Sequence, residues 1–230
     1  MKRKFYTELA YIVGLLLLAL GTSILERAEL GLSMIVAPAY ILHVKLSEFL
    51  PFFSFGMACY TVEALLLLTL VVVGRRAKLS YLFSFGTAIL YGFILDGAVW
   101  LAQFLPCEGI VLRLVFFVVG TLVSSWGLAF LFKTYLPQGS FEVFVLEMSR
   151  LTRVDFVKVK IVFDICFLIL AVIMSFLFFG LGVFVGINIG TLASACVNGV
   201  LIGMFCKLND RIFDFVDISP GTKAFLTKQI

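Results

Sequence analysis

The chain has 230 residues, 62% of them hydrophobic and only 14% charged, with a mean hydropathy of +1.14. A soluble domain carries roughly a quarter charged residues, so the composition excludes an ordinary soluble fold and implies an integral membrane protein. The formal charge of +4 could suggest nucleic acid, but its distribution along the chain, given below, fits membrane topology and contact with anionic lipid instead.

A membrane span needs about 20 apolar residues. Six stretches meet that length: Phe5–Leu25, Phe52–Val73, Tyr81–Phe104, Val111–Phe132, Ile161–Phe179 and Leu181–Phe205. The first is expected to be retained, because charged residues follow it closely and no small-residue cleavage site is apparent. Gly14 and Gly21 within it read as helix-packing positions. The fifth and sixth stretches are separated only by Gly180 and its neighbours, which predicts a tight turn there.

Two connections are too long for turns, Glu26–Leu50 and Lys133–Lys160. Each opens on a polar or Gly-bearing stretch and continues into a half-apolar run, Met34–Val44 and Phe141–Leu151. Phe144, Met148 and Leu151 fall at helical spacing, with Glu142, Glu147 and Arg150 between them, so each run predicts a short amphipathic or re-entrant helix. The tail from Lys207 is polar enough to leave the membrane. Ile212, Phe213 and Phe215 could rest on its surface, and Ser219-Pro220-Gly221 reads as a turn.

With the N-terminus placed inside, Lys2, Arg3, Lys4, Arg75, Arg76, Lys78, Lys133, Arg150, Arg153, Lys158, Lys160, Lys207, Arg211, Lys223 and Lys228 all fall on the inner side. Only Arg27, Lys45 and Arg113 fall outside. This bias predicts that both termini are cytoplasmic.

The order span, short helix, span, span thus occurs twice, and three spans per unit force the second unit to insert upside down. The expected fold is an all-α polytopic membrane protein. It has six transmembrane helices in two inverted three-helix repeats, residues 1–108 and 109–206, and a cytoplasmic tail, 207–230. An echo supports duplication: Ser84-Phe85-Gly86-Thr87 recurs 104 positions later as Asn188-Ile189-Gly190-Thr191. Gly-Thr in a span either packs helices or marks a locally opened helix lining a cavity.

Ionisable groups inside spans are costly and are functional candidates by default. Glu63, Asp96 and Asp164 qualify, and Glu63, near the middle of its run, bears the largest penalty. Glu63 and Asp164 near a pseudo-two-fold axis could hold a cation or exchange a proton. Thr87, Thr191, Asn188 and Asn198 join the candidate site because amides and hydroxyls in lipid need partners. Cys59, Cys107, Cys166, Cys196 and Cys206 have no metal-ligand spacing, and His43 is the single histidine. No catalytic motif appears, so the chain reads as neither an enzyme nor a holder of metal or cofactor.

The segments Gly31-Leu32-Ser33-Met34, Gly139-Ser140-Phe141-Glu142 and Asn188-Ile189-Gly190-Thr191 resemble three motifs of the YczE/YyaS/YitT family of bacterial integral membrane proteins, in its YczE-like branch. That branch has Gly-x-Ser-Pro, Gly-Pro-x-Asp and Gly-Ile-Gly-Thr at these places. Here Met34 and Ser140 stand where Pro is expected, Glu142 replaces Asp, and Asn188 replaces the first Gly. The resemblance covers about residues 8–206 and implies a bacterial cytoplasmic-membrane location and this architecture rather than an activity. It adds Glu142 to the candidates as an inner-side acid facing the core.

The expected role is the binding and movement of a small polar or cationic solute, coupled to protons or another cation. Two alternatives stand beside it. One is a substrate-binding subunit with an energising partner docked on the small residues Ala10 and Gly14. The other is an assembly factor without a ligand, which a wholly apolar centre would favour. A homo-oligomer also remains open, and nucleic acid is not an expected partner.

Overall fold

A computed structural model describes residues 3–75, 78–136 and 139–218, apart from the side chains of Phe156 and Val157. Among the described residues the chain forms eight helices and one two-stranded sheet: β1 (Arg3–Tyr6), α1 (Thr7–Ala28), α2 (Ala37–Ser47), α3 (Phe55–Gly74), α4 (Leu79–Ala102), α5 (Ile110–Leu131), α6 (Ser140–Thr152), α7 (Phe156–Phe179), α8 (Ile189–Ile212) and β2 (Phe213–Val216). Six of the helices, α1, α3, α4, α5, α7 and α8, are long and apolar enough to cross a membrane. This is a multi-pass helical membrane protein, with a short helix after its first and fourth spans.

The centre is the crossing of α1 and α5. A Cβ on Gly14 would meet Leu131 at 2.9 Å, one on Gly21 would collide with the backbone of Ser124, and one on Gly120 would meet Leu25 at 2.8 Å. Position rises along α1 as it falls along α5, so the two helices run antiparallel with their backbones in close approach. Without a hydrophobic drive between helices in lipid, this close packing at small residues is what holds them.

The other elements attach in a reciprocal pattern. α4 packs on α1 and α8 on α5; α2 packs on α3 and α7, and α6 packs on α7 and α3. Exchanging α1–α4 with α5–α8 turns one set of neighbours into the other. The exchange is imperfect at two places: α4 also packs on α6 without a comparable α8–α2 contact, and the pairs α3–α4 and α7–α8 differ. α3 and α4 lie close where Gly56 faces Gly92, whereas α7 and α8 hardly meet.

Two sequence expectations need correction. The sixth span begins at Ile189 rather than Leu181, and residues 180–188 form an irregular link instead of a tight turn. Gly180, Gly182 and Gly186 take φ of 97°, 88° and 69°, which breaks the helix that hydropathy extends through them. The link survives because its backbone groups find partners. Ser175 Oγ donates to the Val183 carbonyl and accepts from the Val185 N–H at 2.7 and 2.9 Å, and the Leu32 N–H donates to the Gly186 carbonyl at 3.0 Å.

The second correction is at the ends. α8 continues to Ile212, and β2 then pairs in parallel with β1, placing Arg3 opposite Phe213 and Phe5 opposite Phe215. Phe5 thus belongs to a clasp between the ends of the chain, not to the first span, and its ring lies 4.8 Å from that of Phe213. The turn expected at Ser219-Pro220-Gly221 lies outside the described residues.

Candidate functional site: a cavity between the halves

The two short helices position the site. α2 is buried at Ala37, Pro38 and Ala39 and half-buried or exposed by Ser47 and Phe49; α6 is buried at Ser140 and exposed by Arg150. Each therefore runs from the interior outward. Residues at both beginnings, Ser33, Ile35 and Val36 before α2 and Gly139, Phe141 and Glu142 at α6, line one cavity of about 130 Å³. A helix N-terminus carries roughly half a positive charge on its unsatisfied N–H groups, and here two of them converge.

Two carboxylates answer that charge. Glu63, halfway along α3 and only 3% exposed, accepts the Ser140 N–H on Oε2 at 2.9 Å and so caps α6. Among the described residues, Ser140 alone donates to this carboxylate. Glu142 is half-buried in the first turn of α6 and lines the same cavity. A Cβ on Gly139 would lie 3.1 Å from Glu142 Oε2 and 3.7 Å from Glu63 Oε2, so both acids flank that glycine. Burial raises the pKa of Glu142 above the usual carboxylate range; Lys160 opposes the rise and Asp164 assists it.

The remaining wall is mostly apolar, with Leu15, Leu18, Leu25, Leu128 and Leu131 along α1 and α5. Hydroxyls and one amide punctuate it. Tyr11 donates to Thr87 at 2.7 Å, Tyr91 to Thr22 at 3.1 Å, and Ser125 to the Asn198 side-chain carbonyl at 3.0 Å. These groups are paired with one another, so the free acceptor capacity of the cavity sits with the two acids.

Of the eight sequence candidates, the cavity gathers Glu63, Glu142, Thr87 and Asn198. The other four lie elsewhere. Asp96 accepts from Ser54 Oγ at 2.5 Å and from the Gly56 N–H at 2.6 Å, fastening the start of α3. Asp164 is paired at 2.6 Å with Lys160 one helical turn away and is not in the cavity lining, where Glu142 stands with Glu63. Asn188 and Thr191 build a capping box at the start of α8, Asn188 Oδ1 accepting the Ile189 N–H at 2.9 Å and Thr191 Oγ1 accepting the Asn188 N–H at 3.2 Å. Thr87 lies well inside α4, while Thr191 is the third residue of α8, so the two Gly-Thr echoes occupy different depths. Gly86 has nothing within 4 Å of its open side, whereas a Cβ on Gly190 would collide with the Leu30 carbonyl.

A second cavity, of about 220 Å³, lies toward the face opposite the N-terminus and is lined by Glu26, Glu29, Tyr40, Asn188 and the 184–187 backbone. Leu25 and Leu32 line both cavities, forming the partition between them. Burial, with Glu26 and Glu29 nearby, pushes the Tyr40 phenol up to about 12, so it stays a hydrogen-bond donor at neutral pH.

Sequence reasoning missed Thr22, Tyr91, Ser124 and Ser125. Adjacent hydroxyl pairs inside apolar runs, Thr22-Ser23 and Ser124-Ser125, were the available signal. Among the described residues no three His, Cys, Asp or Glu side chains gather around a metal position, and the five cysteines are free.

Six helices long and apolar enough to cross a membrane, five of them lining the central cavity, define a polytopic membrane protein of helical type. More particularly, the chain matches over residues 5–207 the family of unknown function DUF6198, and it belongs to that family. No curated protein and no solved structure matches the chain.

Proposed function

We propose that this protein binds a small polar or cationic solute at the centre of the bacterial cytoplasmic membrane and moves it across, with Glu63 and Glu142 as the ion- or proton-responsive pair. The observation that carries this reading is Glu63: 97% buried, without a basic partner among the described residues, and on a cavity where two short helices begin. Intramembrane acids are rarely kept for stability alone. Two helix N-termini offset about one of the two carboxylate charges, leaving roughly one negative charge for a single proton or monovalent cation to cancel.

The reciprocal packing supports two inverted repeats, 1–108 and 109–206, with the cavity at their junction as in many secondary transporters. The basic bias supports cytoplasmic termini. The acidic second cavity supports an approach route, with Leu25 and Leu32 as the barrier that must move. The resemblance to the YczE-like branch agrees with the location and adds no activity.

The alternatives lose their motivating features. Ala10 is fully buried and Gly14 is occupied by Leu131 of α5, so neither offers a docking face. The centre is not wholly apolar, which supports a ligand-binding role over a ligand-free assembly factor.

The test is flux. Reconstituted in liposomes with an entrapped pH dye and an imposed potential, the protein should give proton or cation movement that changes with external pH, and Glu63→Gln should abolish that dependence. Wild-type traces matching protein-free liposomes would reject transport; an unaltered pH dependence in Glu63→Gln would reject coupling through this acid.

A further inference from the structure

The chemistry of the central cavity narrows the ligand class. This step rests on the binding part of the reading above and not on transport. Its wall is unequal. Thr22, Thr87, Ser125 and Asn198 have hydrogen-bond partners within the protein, whereas among the described residues Glu63 has donors from Ser140 alone and Glu142 only a backbone N–H of its own helix. Among the described residues the anionic acceptor capacity of the cavity is therefore at the α6 end. The rest of the wall offers leucine side chains and the Tyr91 ring.

Size sets a second limit. A dry apolar cavity of about 150 Å³ holds benzene, so a cavity of about 130 Å³ takes about six non-hydrogen atoms. A bare metal ion would leave the leucine-lined part empty, and an anion would face two carboxylates. A neutral alcohol would leave the roughly one negative charge uncancelled. An ammonium group on a compact hydrocarbon satisfies each demand: its N–H groups donate to both acids, and its body displaces no well-bonded polar group.

α8 contributes Asn198 and Ile202 to the wall and packs on α5, whereas α7 packs on α2 and α6 and hardly meets α8. The side between them presents Val197, Val200 and Ile169 outward, a surface suited to lipid.

We propose that the cavity binds a small hydrophobic primary amine in its protonated form, the nitrogen between Glu63 and Glu142 on the open side of Gly139 and the hydrocarbon among the leucines of α1 and α5. Cyclopentylammonium is the probe, titrated calorimetrically into the detergent-purified protein at neutral pH. Cyclopentanol, cyclopentanecarboxylate, methylammonium and potassium serve as comparisons.

Cyclopentylammonium should bind at least roughly tenfold tighter than the isosteric alcohol, as loss of a charged hydrogen bond implies. The carboxylate should not bind, and methylammonium, lacking the body, should be weaker by a similar factor. Glu63 also caps α6, so the decisive variants are Glu142→Gln and Gly139→Ala. The second places a methyl group 3.1 Å from Glu142 Oε2 at a φ of −56°, where the backbone accepts it. Both should weaken the amine about tenfold, and cyclopentanol by clearly less, since only the amine carries the charge that Glu142 meets.

Equal affinity for alcohol and amine overturns the proposal. So do potassium competing as well as the amine, unchanged binding in both variants, and no binding of any probe. Binding without flux in liposomes would leave this inference standing and remove the transport reading. Flux without amine binding would do the reverse.

Discussion

At the scale of single residues, an acid in a span was a sound signal of consequence but a poor guide to which consequence. Asp96 and Glu63 looked alike in sequence, yet each caps a helix and only one faces the cavity. Replacing Asp96 by Ala strips acceptors from the Gly56 N–H and the Ser54 hydroxyl, and should cost about 1–3 kcal/mol, read as a lowered unfolding midpoint in detergent. Asp96→Asn, which retains one acceptor oxygen, should recover part of the loss; equal midpoints for Ala and wild type would remove the capping role. Glu142 behaves differently. Burial raises its pKa in the folded state, so the fold holds that proton more tightly than the unfolded chain does. Stability from this group is therefore full below the ordinary carboxylate pKa, falls as pH rises from there through the raised value, and is level above it. The groups that set the shift are Lys160, which opposes it, and Asp164, which adds to it, with Glu63 across the cavity. Glu142→Gln should match wild type in acid and exceed it in unfolding midpoint near neutrality; a constant difference at all pH values would contradict the burial argument.

At the scale of elements, hydropathy located all six spans and both short helices, because burial in lipid imposes a length that sequence displays directly. What it could not locate was the start of α8. Leu181, Val183, Phe184 and Val185 are apolar, and only the positive φ of three glycines and the hydroxyl of Ser175 on another helix turn them into a link. Nor could it distinguish glycines. Gly86 and Gly21 both sit in spans, but one faces open space and the other the Ser124 backbone. Gly21→Val should accordingly separate α1 from α5 and leave little monodisperse protein on size exclusion, whereas Gly86→Ala should elute and unfold as wild type does. Comparable behaviour of the two would mean that the α1–α5 crossing is not where the halves are joined.

At the scale of the whole molecule, the order of elements supports the proposed duplication, while the Gly-Thr echo does not add to it. α1 and α5 begin at Thr7 and Ile110, α2 and α6 at Ala37 and Ser140, two intervals of 103 residues; α4 and α8 begin at Leu79 and Ile189, an interval of 110. A motif offset of 104 therefore compares different turns of the last helix in each half. The proposed inversion carries an electrostatic demand as well as a topological one. Two short helices that begin side by side in the interior bring their positive ends together, and a buried acid makes that meeting tolerable in a medium without water. Glu63 meets this demand at α6, and no sequence pattern announced the pairing because its partner is a backbone N–H 77 residues away. The arrangement has a direct readout. In a variant with the five native cysteines replaced, Ser47→Cys at the outer end of α2 and Thr152→Cys at the outer end of α6 should label with a membrane-impermeant maleimide from opposite sides. With cytoplasmic termini, Ser47→Cys reacts in intact cells and Thr152→Cys only after permeabilisation. Labelling of both from one side would place the two short helices on the same face, and with that the converging helix ends, the compensating acids and the ligand chemistry built on them would lose their common ground.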